Sequence, residues 1–148
     1  MAEMTKKAQT FQDYLDEKNI KAFASETIEN DPEETTVFRS HVEVDGQQLP
    51  LLVLLDRSIF SMIRVQVSPK CKTEENELAV LKLANELNLK YKPFKLYFDG
   101  EGSLILDICL LTPDEETKEI GDMIYGMFNV LIQFLNENYR GIMKTIWE

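Results

Sequence analysis

The stretch KLYFDGEGSLILDICL, residues 95–110, places an acidic loop with two glycines between two apolar runs. Asp-Gly between apolar runs is a strong hairpin signal, because short turns need positive φ values that these two residues tolerate. Counted as an EF-hand from Asp99, the loop has Leu104 where glycine is required and Leu110 where glutamate is required. A dinucleotide fingerprint fails as well, since Ile105 stands in place of the third glycine. The stretch therefore predicts two paired strands rather than a calcium or phosphate loop.

Working outward, hydrophobic periodicity predicts the elements of the first half of the chain. Residues 4–18 have the spacing of an amphipathic helix, and residues 20–29 contain a candidate short strand. The run TVFRSHVEV alternates like a half-buried strand and ends at a predicted Asp45-Gly46 hairpin turn. The returning run QLPLLVLLD contains Pro50, which we expect at a sheet edge or a strand start. A third strand, SIFSMIRVQV, follows.

Two further helices are predicted in the second half. Thr73 precedes the middle helix, whose predicted apolar face is Leu78, Leu81, Leu83, Ala84 and Leu87. The sequence Thr112-Pro113-Asp114-Glu115 has the residues of a helix N-terminus and predicts that the last helix begins there and continues into the 140s. The element order α-β-β-β(β)-α-β-β-α predicts one α+β domain over residues 1–148, with three helices mostly on one face of an antiparallel sheet.

Composition excludes several classes of function. The 148 residues are 44% hydrophobic and 28% charged, which is typical of a globular protein. A formal net charge of −10 argues against binding to nucleic acid or an anionic membrane, including binding through Lys90, Tyr91, Lys92 and Lys95. With two cysteines, no CxxC and one histidine, the chain has no zinc motif, and we expect no metal or cofactor. No signal-peptide pattern and no spanning apolar run is present, so we expect a cytoplasmic protein.

Isolated reactive residues are weak candidates for chemistry. His41 shares a strand phase with Arg39 and Glu43, so we expect an exposed histidine rather than a general base. Cys71 lies between two lysines, and we favour a surface thiol over a reactive one. Asp107 is expected on the more solvated face of the sheet. The acidic run from Glu26 to Glu34 is expected to be solvated rather than metal-binding.

The last helix has more apolar surface than one packing contact requires. Its apolar positions cover an arc of roughly 220°, whereas a helix that packs once needs little more than about 100°. The first helix is one candidate cover, and a second copy or another protein is the other. The predicted partner or dimer interface consists of Met123, Tyr125, Met127, Phe128, Leu131, Ile132 and Leu135. Gly121 and Gly126, which weaken a helix, suggest close approach of another backbone.

The second half also resembles a known family. The features are the Asn-Glu-Leu-Asn segment at residues 85–88, the FKLYFDG strand and turn, and the Leu-Thr-Pro helix start, over roughly residues 75–148. They resemble the YbjN-like family, whose members are described as bacterial sensory transduction regulators. The resemblance implies a type III secretion chaperone-like fold with a curved antiparallel sheet. It implies small, acidic, cytosolic homodimers that hold segments of other proteins, and it brings no catalytic residues.

Two functions from different classes follow. The first is a non-enzymatic protein-binding module, chaperone-like or a regulatory adaptor, that acts as a homodimer. The alternative is a small-ligand sensor or enzyme that uses a pocket with Asp99, Glu101, His41 or Cys71, and it requires these side chains to converge.

Overall fold

A computed structural model describes residues 2–148 as three helices and a six-stranded antiparallel sheet. The helices are α1 (Lys6–Glu17), α2 (Glu77–Lys90) and α3 (Ile120–Trp147). The strands are β1 (Ala24–Thr27), β2 (Thr36–Val44), β3 (Gln47–Leu55), β4 (Phe60–Ser68), β5 (Phe94–Phe98) and β6 (Leu104–Leu111). Their order in the sheet is β1-β2-β3-β4-β6-β5. The predicted α+β class and element order are confirmed.

The sheet has one face covered by helices and one open face. Along β4, Ser61, Ile63, Val65 and Val67 are buried, and the helices complete the core above them. The residues between them are half-buried, because side chains alternate across a strand. The open face consists of the even-numbered residues of β1, β3 and β4 (to Gln66) and the odd-numbered residues of β2, β5 and β6.

The two predicted turns are present. Asp45 and Gly46 join β2 to β3 with φ values of 51° and 80°. In the loop between β5 and β6, the Asp99 carboxylate accepts the backbone N–H groups of Glu101 and Ser103, each at 2.9 Å. Gly102 has a φ of 79°, which a residue with a Cβ adopts only with strain. The loop at residues 99–103 is therefore a turn between paired strands.

Pro50 lies at a position of β3 where no backbone N–H is required for pairing. It stands opposite His41 in the β2–β3 pair, while β3 pairs with β4 only from Leu51 onward. Proline cannot donate to a ladder, so this place at the beginning of the β3–β4 pairing suits it. The expectation of an edge or strand-start position is confirmed.

The predicted inner face of α2 is confirmed at Ala84 and Leu87, with Leu83 packed against the core, and it is wrong at Leu78 and Leu81. Val80, Ala84 and Leu87 point into the core, whereas Leu78 is 64% and Leu81 44% exposed. The helix is held in this rotation at its start, where the buried Asn76 amide donates to the carbonyl oxygens of Cys71 (2.9 Å) and Ile146 (3.1 Å). A helix with leucines on both sides gives no clear apolar face, so periodicity could not select the buried one.

The predicted start of the last helix is also wrong, because α3 begins at Ile120 rather than after Thr112. Thr112 uses its polar groups in tertiary contacts: its hydroxyl pairs with that of Ser61, and its N–H donates to the Ile59 carbonyl at 2.7 Å. Asp114 accepts the backbone N–H of Lys7 at 2.9 Å and so supports the first turn of α1. Capping residues are present, but they serve a different helix.

No helix within residues 2–148 combines the length and apolar character needed to cross a bilayer.

Candidate functional site

An apolar cleft of about 280 Å³ lies between α3 and β2. Its lining combines the segment before β1, the end of β2, one residue of β3 and one flank of α3. The lining residues are Ala22, Phe23, Ser40, His41, Val42, Glu43, Leu51, Tyr125, Phe128, Leu131 and Ile132. The cleft is the first candidate site because it contains four of the seven residues predicted on α3.

Aromatic packing holds the inner wall of the cleft. Phe23 stacks on Phe128 with ring centroids 6.1 Å apart, and it meets Phe11 of α1 edge-on at 6.0 Å. Tyr125 meets Phe128 edge-on at 4.8 Å. Such pairs contribute about 0.5–1.5 kcal/mol beyond the area they bury. The wall is therefore preformed rather than assembled by a ligand.

One side of the cleft is an incomplete sheet edge. The short strand β1 pairs with β2 only from Thr36 to Arg39, while β2 continues to Val44. Residues 40–44 of β2 pair with β3 on their other side. Within residues 2–148, no backbone hydrogen bond satisfies this second edge. The sheet thus leaves room for about five residues of an added strand.

The free hydrogen-bonding groups on this edge belong to His41 and Glu43. Val44 and Gln47 close a two-residue hairpin, so they exchange both N–H···O bonds of an antiparallel pair. Hydrogen-bonded and non-hydrogen-bonded pairs alternate along the ladder, which places His41 and Glu43 in non-hydrogen-bonded positions toward β3. Their N–H and C=O groups therefore point out of the sheet beside the cleft, while Ser40 and Val42 direct their side chains into it.

The structure divides the predicted α3 set into three groups. Tyr125 and Ile132 line the cleft and remain partly accessible, with Ile132 37% exposed. Phe128 and Leu131 line it from the core, and Leu135 is fully buried beneath the helix. The two methionines, Met123 and Met127, lie outside the cleft lining. Cover within the molecule therefore accounts for part of the wide apolar arc, and the cleft accounts for another part.

The two glycines in α3 have different surroundings. A methyl group at Gly121 would overlap the ring of Tyr14, so α1 approaches α3 closely there. The approach is made by a side chain rather than by the backbone that was predicted. Nothing lies within 4 Å of a Cβ built at Gly126, so the prediction of a close approach at this residue is wrong for the isolated chain.

The alternative site is not assembled. His41 lies on β2, three strand positions from β6, a lateral separation of ~14 Å at ~4.8 Å per strand. The loop with Asp99 and Glu101 adjoins β6, and Cys71 donates its backbone N–H to Gly102 in that loop. His41 is exposed, as predicted. The expectation of a surface thiol at residue 71 is wrong, because Cys71 is 1% exposed and the accessible thiol is Cys109.

A polar cluster at the centre of the open face was missed. Asp107, 1% exposed, accepts two hydrogen bonds from Arg64 (2.8 and 3.0 Å) and one from the Tyr97 hydroxyl (2.7 Å). Burial and the hydrogen bond to Asp107 raise the pKa of Tyr97 to about 12. The prediction that Asp107 faces the open side is confirmed, but its carboxylate is covered by its own partners instead of solvent.

A buried lysine was also missed. The Lys7 side chain is fully buried, and its ammonium donates to the carbonyl oxygens of Ser58 (2.8 Å), Phe60 (2.8 Å) and Thr112 (2.7 Å) and to the Ser61 hydroxyl (3.1 Å). Burial lowers the pKa of Lys7, opposed by the nearby carboxylates of Asp56 and Asp114. Every proton of the ammonium has an acceptor, so the residue fastens α1 to β4 and to the segment after β6. No pattern in the sequence singled out Lys7.

Within residues 2–148, no three histidine, cysteine or acidic side chains are grouped as metal ligands would be. The Lys90 and Lys95 ammonium groups lie over the rings of Tyr91 and Tyr97, at 5.3 and 4.9 Å from the centroids.

No protein-family model matches the chain, and no curated protein matches it in sequence.

Proposed function

We propose that this chain is a non-enzymatic protein-binding module, chaperone-like or a regulatory adaptor, that works as a dimer. It binds an extended segment of a partner protein, which adds a strand to β2 beside β1 and places apolar side chains in the cleft. The observation that carries the proposal is the open edge of β2 over residues 40–44, next to an apolar cleft.

Edge and cleft complement one another as a peptide site. An added strand obtains main-chain hydrogen bonds from His41 and Glu43, and these bonds are independent of the partner's sequence. Every second side chain of that strand faces the helix side, where Phe128 and Leu131 form the wall. Affinity therefore comes from the backbone, and selectivity comes from the alternate side chains.

The size of the cleft favours side chains over a whole small molecule. Its volume of about 280 Å³ lies below the roughly 300–1,000 Å³ of typical small-molecule pockets. A lining that is aromatic and aliphatic, with one histidine and one glutamate, suits leucine-sized or phenylalanine-sized groups. With a net charge of −10, the chain also favours a partner segment flanked by lysine or arginine.

The resemblance of residues 75–148 to the YbjN-like family, with its secretion chaperone-like fold, supports the same proposal. That family is associated with regulation and brings no catalytic residues, in agreement with the separation of His41 from the loop at Asp99.

The experiment is a selection of short peptides of random sequence on the full-length chain, followed by affinity measurement on two variants. Ile132→Asp places a charge in the cleft, and Val130→Asp places one on the other flank of α3 at similar exposure, 40% against 37%. We expect selected peptides to alternate apolar and polar residues. We expect Ile132→Asp to weaken their binding at least tenfold and Val130→Asp to leave it within twofold.

Circular dichroism establishes that both variants are folded. Peptides that bind both variants equally would place their site elsewhere and contradict the proposal. A failure to select any peptide would do the same.

A further inference from the structure

We infer that the open face of the sheet is the surface on which two copies of this chain associate. The inference rests on the dimeric state in the proposed function and adds which surface forms the dimer. The open face lies on the side of the sheet away from α3, and it meets the cleft only at His41 and Glu43 on the edge of β2.

The open face carries an exposed apolar area at one end. Phe60 and Leu111 are directly opposite one another on β4 and β6, and they are 48% and 67% exposed. Leu54 and Met62 are half-buried neighbours on the same face. A contiguous exposed apolar surface of this kind marks an association site.

When the centre of the open face is covered, no charged group is left without a partner. Asp107 is already buried by its bonds to Arg64 and Tyr97, so its desolvation has taken place within the monomer. A second layer of protein above this cluster covers a carboxylate that is already paired, and the desolvation that remains is that of the Arg64 side chain, which is 34% exposed. The remaining charged side chains lie toward the outer strands, where they form the polar rim typical of interfaces.

The charge of the face identifies the occupant as a second copy. Its charged residues are three basic and three acidic: Arg39, Arg64 and Lys95, with Glu26, Glu43 and Asp107. The face is therefore formally neutral, and the whole net charge of −10 lies on the rest of the chain. Two copies repel least through this face. A basic protein partner, in contrast, is attracted to the other surfaces.

The area is sufficient for a stable pair. Six strands at ~4.8 Å and about seven residues at ~3.3 Å give a footprint of roughly 600–700 Å² per copy. Two copies then bury roughly 1,300 Å², within the 1,200–2,000 Å² of specific interfaces. Two sheets packed face to face in this manner lie ~10 Å apart.

The experiment is sedimentation velocity of the full-length chain from 1 to 100 µM, with two single variants. Leu111→Asp charges the open face, and in a symmetric pair it acts twice. Leu89→Asp is the matched control, since Leu89 is 86% exposed on α2. We expect the wild type and Leu89→Asp to pass from monomer to dimer between 1 and 100 µM, and we expect Leu111→Asp to raise the dimer dissociation constant at least tenfold with an unchanged circular dichroism spectrum.

Cys109 provides a second readout without mutation. It is the exposed thiol on the open face, opposite Met62, while Cys71 is buried. The second-order rate constant for the reaction of Cys109 with a thiol reagent should be smaller at 100 µM protein than at 1 µM. A rate constant independent of protein concentration overturns the interface.

The two proposals fail separately. A monomer at 100 µM that still binds selected peptides overturns the open-face dimer and leaves the cleft intact. A dimer dissociated by Leu89→Asp but not by Leu111→Asp also overturns it, since α2 is then the interface. A dimer sensitive to Leu111→Asp that binds no peptide leaves the interface intact and overturns the cleft.

Discussion

Phe23 stacks on Phe128, with ring centroids 6.1 Å apart and ring planes 20° from parallel. The contact ties the residue just before β1 to the first half of α3. The preceding residues are thereby drawn toward the helix, and β1 begins only at Ala24. The edge of β2 beyond Arg39 is open, and the cleft lies between this edge and α3.

Lys7→Met should lower the free energy of unfolding by about 1–3 kcal/mol, the effect of leaving buried hydrogen-bond acceptors without their donor. The substitution leaves three carbonyl oxygens and the Ser61 hydroxyl without their donor. Urea denaturation measures the change. Lys6→Met is the control, because Lys6 is exposed and the change there should be within ~0.5 kcal/mol. Equal effects of the two substitutions would contradict the fastening role.

Gly121→Ala and Gly126→Ala should act in opposite directions. The first methyl group overlaps the Tyr14 ring and forces α1 from α3, at about 1–3 kcal/mol, as overpacking does. The second enters open space and should stabilise the helix by about 0.5–1 kcal/mol. Thermal unfolding of both variants is the measurement. Destabilisation by Gly126→Ala in the dimer would instead show that a partner surface covers this residue.

Tyr97 should make stability fall at high pH. Its pKa is about 12 in the folded chain against 10.0 for the ordinary side chain, so the folded state retains a proton that the unfolded state loses. The associated stabilisation is complete below pH 10 and is lost as the pH rises from 10 to 12. Urea denaturation at pH 9 and pH 11.5 should show a larger loss for the wild type than for Tyr97→Phe. The difference in absorbance at 295 nm between the two proteins isolates this titration, and a midpoint near 10 would contradict the assignment.

Local patterns correctly predict the elements whose characteristic residues interact with near neighbours in the sequence. Asp45-Gly46 and the Asp99 loop are turns because their φ values and side-chain bonds are satisfied within a few residues. The alternation in β2 and β4 is visible because one face is core and the other is open.

The predictions are wrong where residues of a local pattern bond instead to a group that is distant in the sequence. Thr112 and Asp114 look like a helix start, yet Lys7 takes the carbonyl of one and the carboxylate of the other. Lys7 itself has no local signal, since its acceptors are at least 51 residues away. The four cleft residues on α3 were identifiable from its wide apolar arc, but the β2 edge was not, because no local pattern shows that β1 pairs with β2 only as far as Arg39.

Amide hydrogen exchange along β2 tests the central claim most directly. In the free chain, the amides of His41 and Glu43 should exchange near the rate of an unstructured peptide, while Ser40 and Val42, bonded to β3, are protected. With a selected peptide at saturation, His41 and Glu43 should become at least tenfold slower. Strong protection of His41 and Glu43 in the free chain, or no change when peptide is bound, would contradict strand addition at this edge.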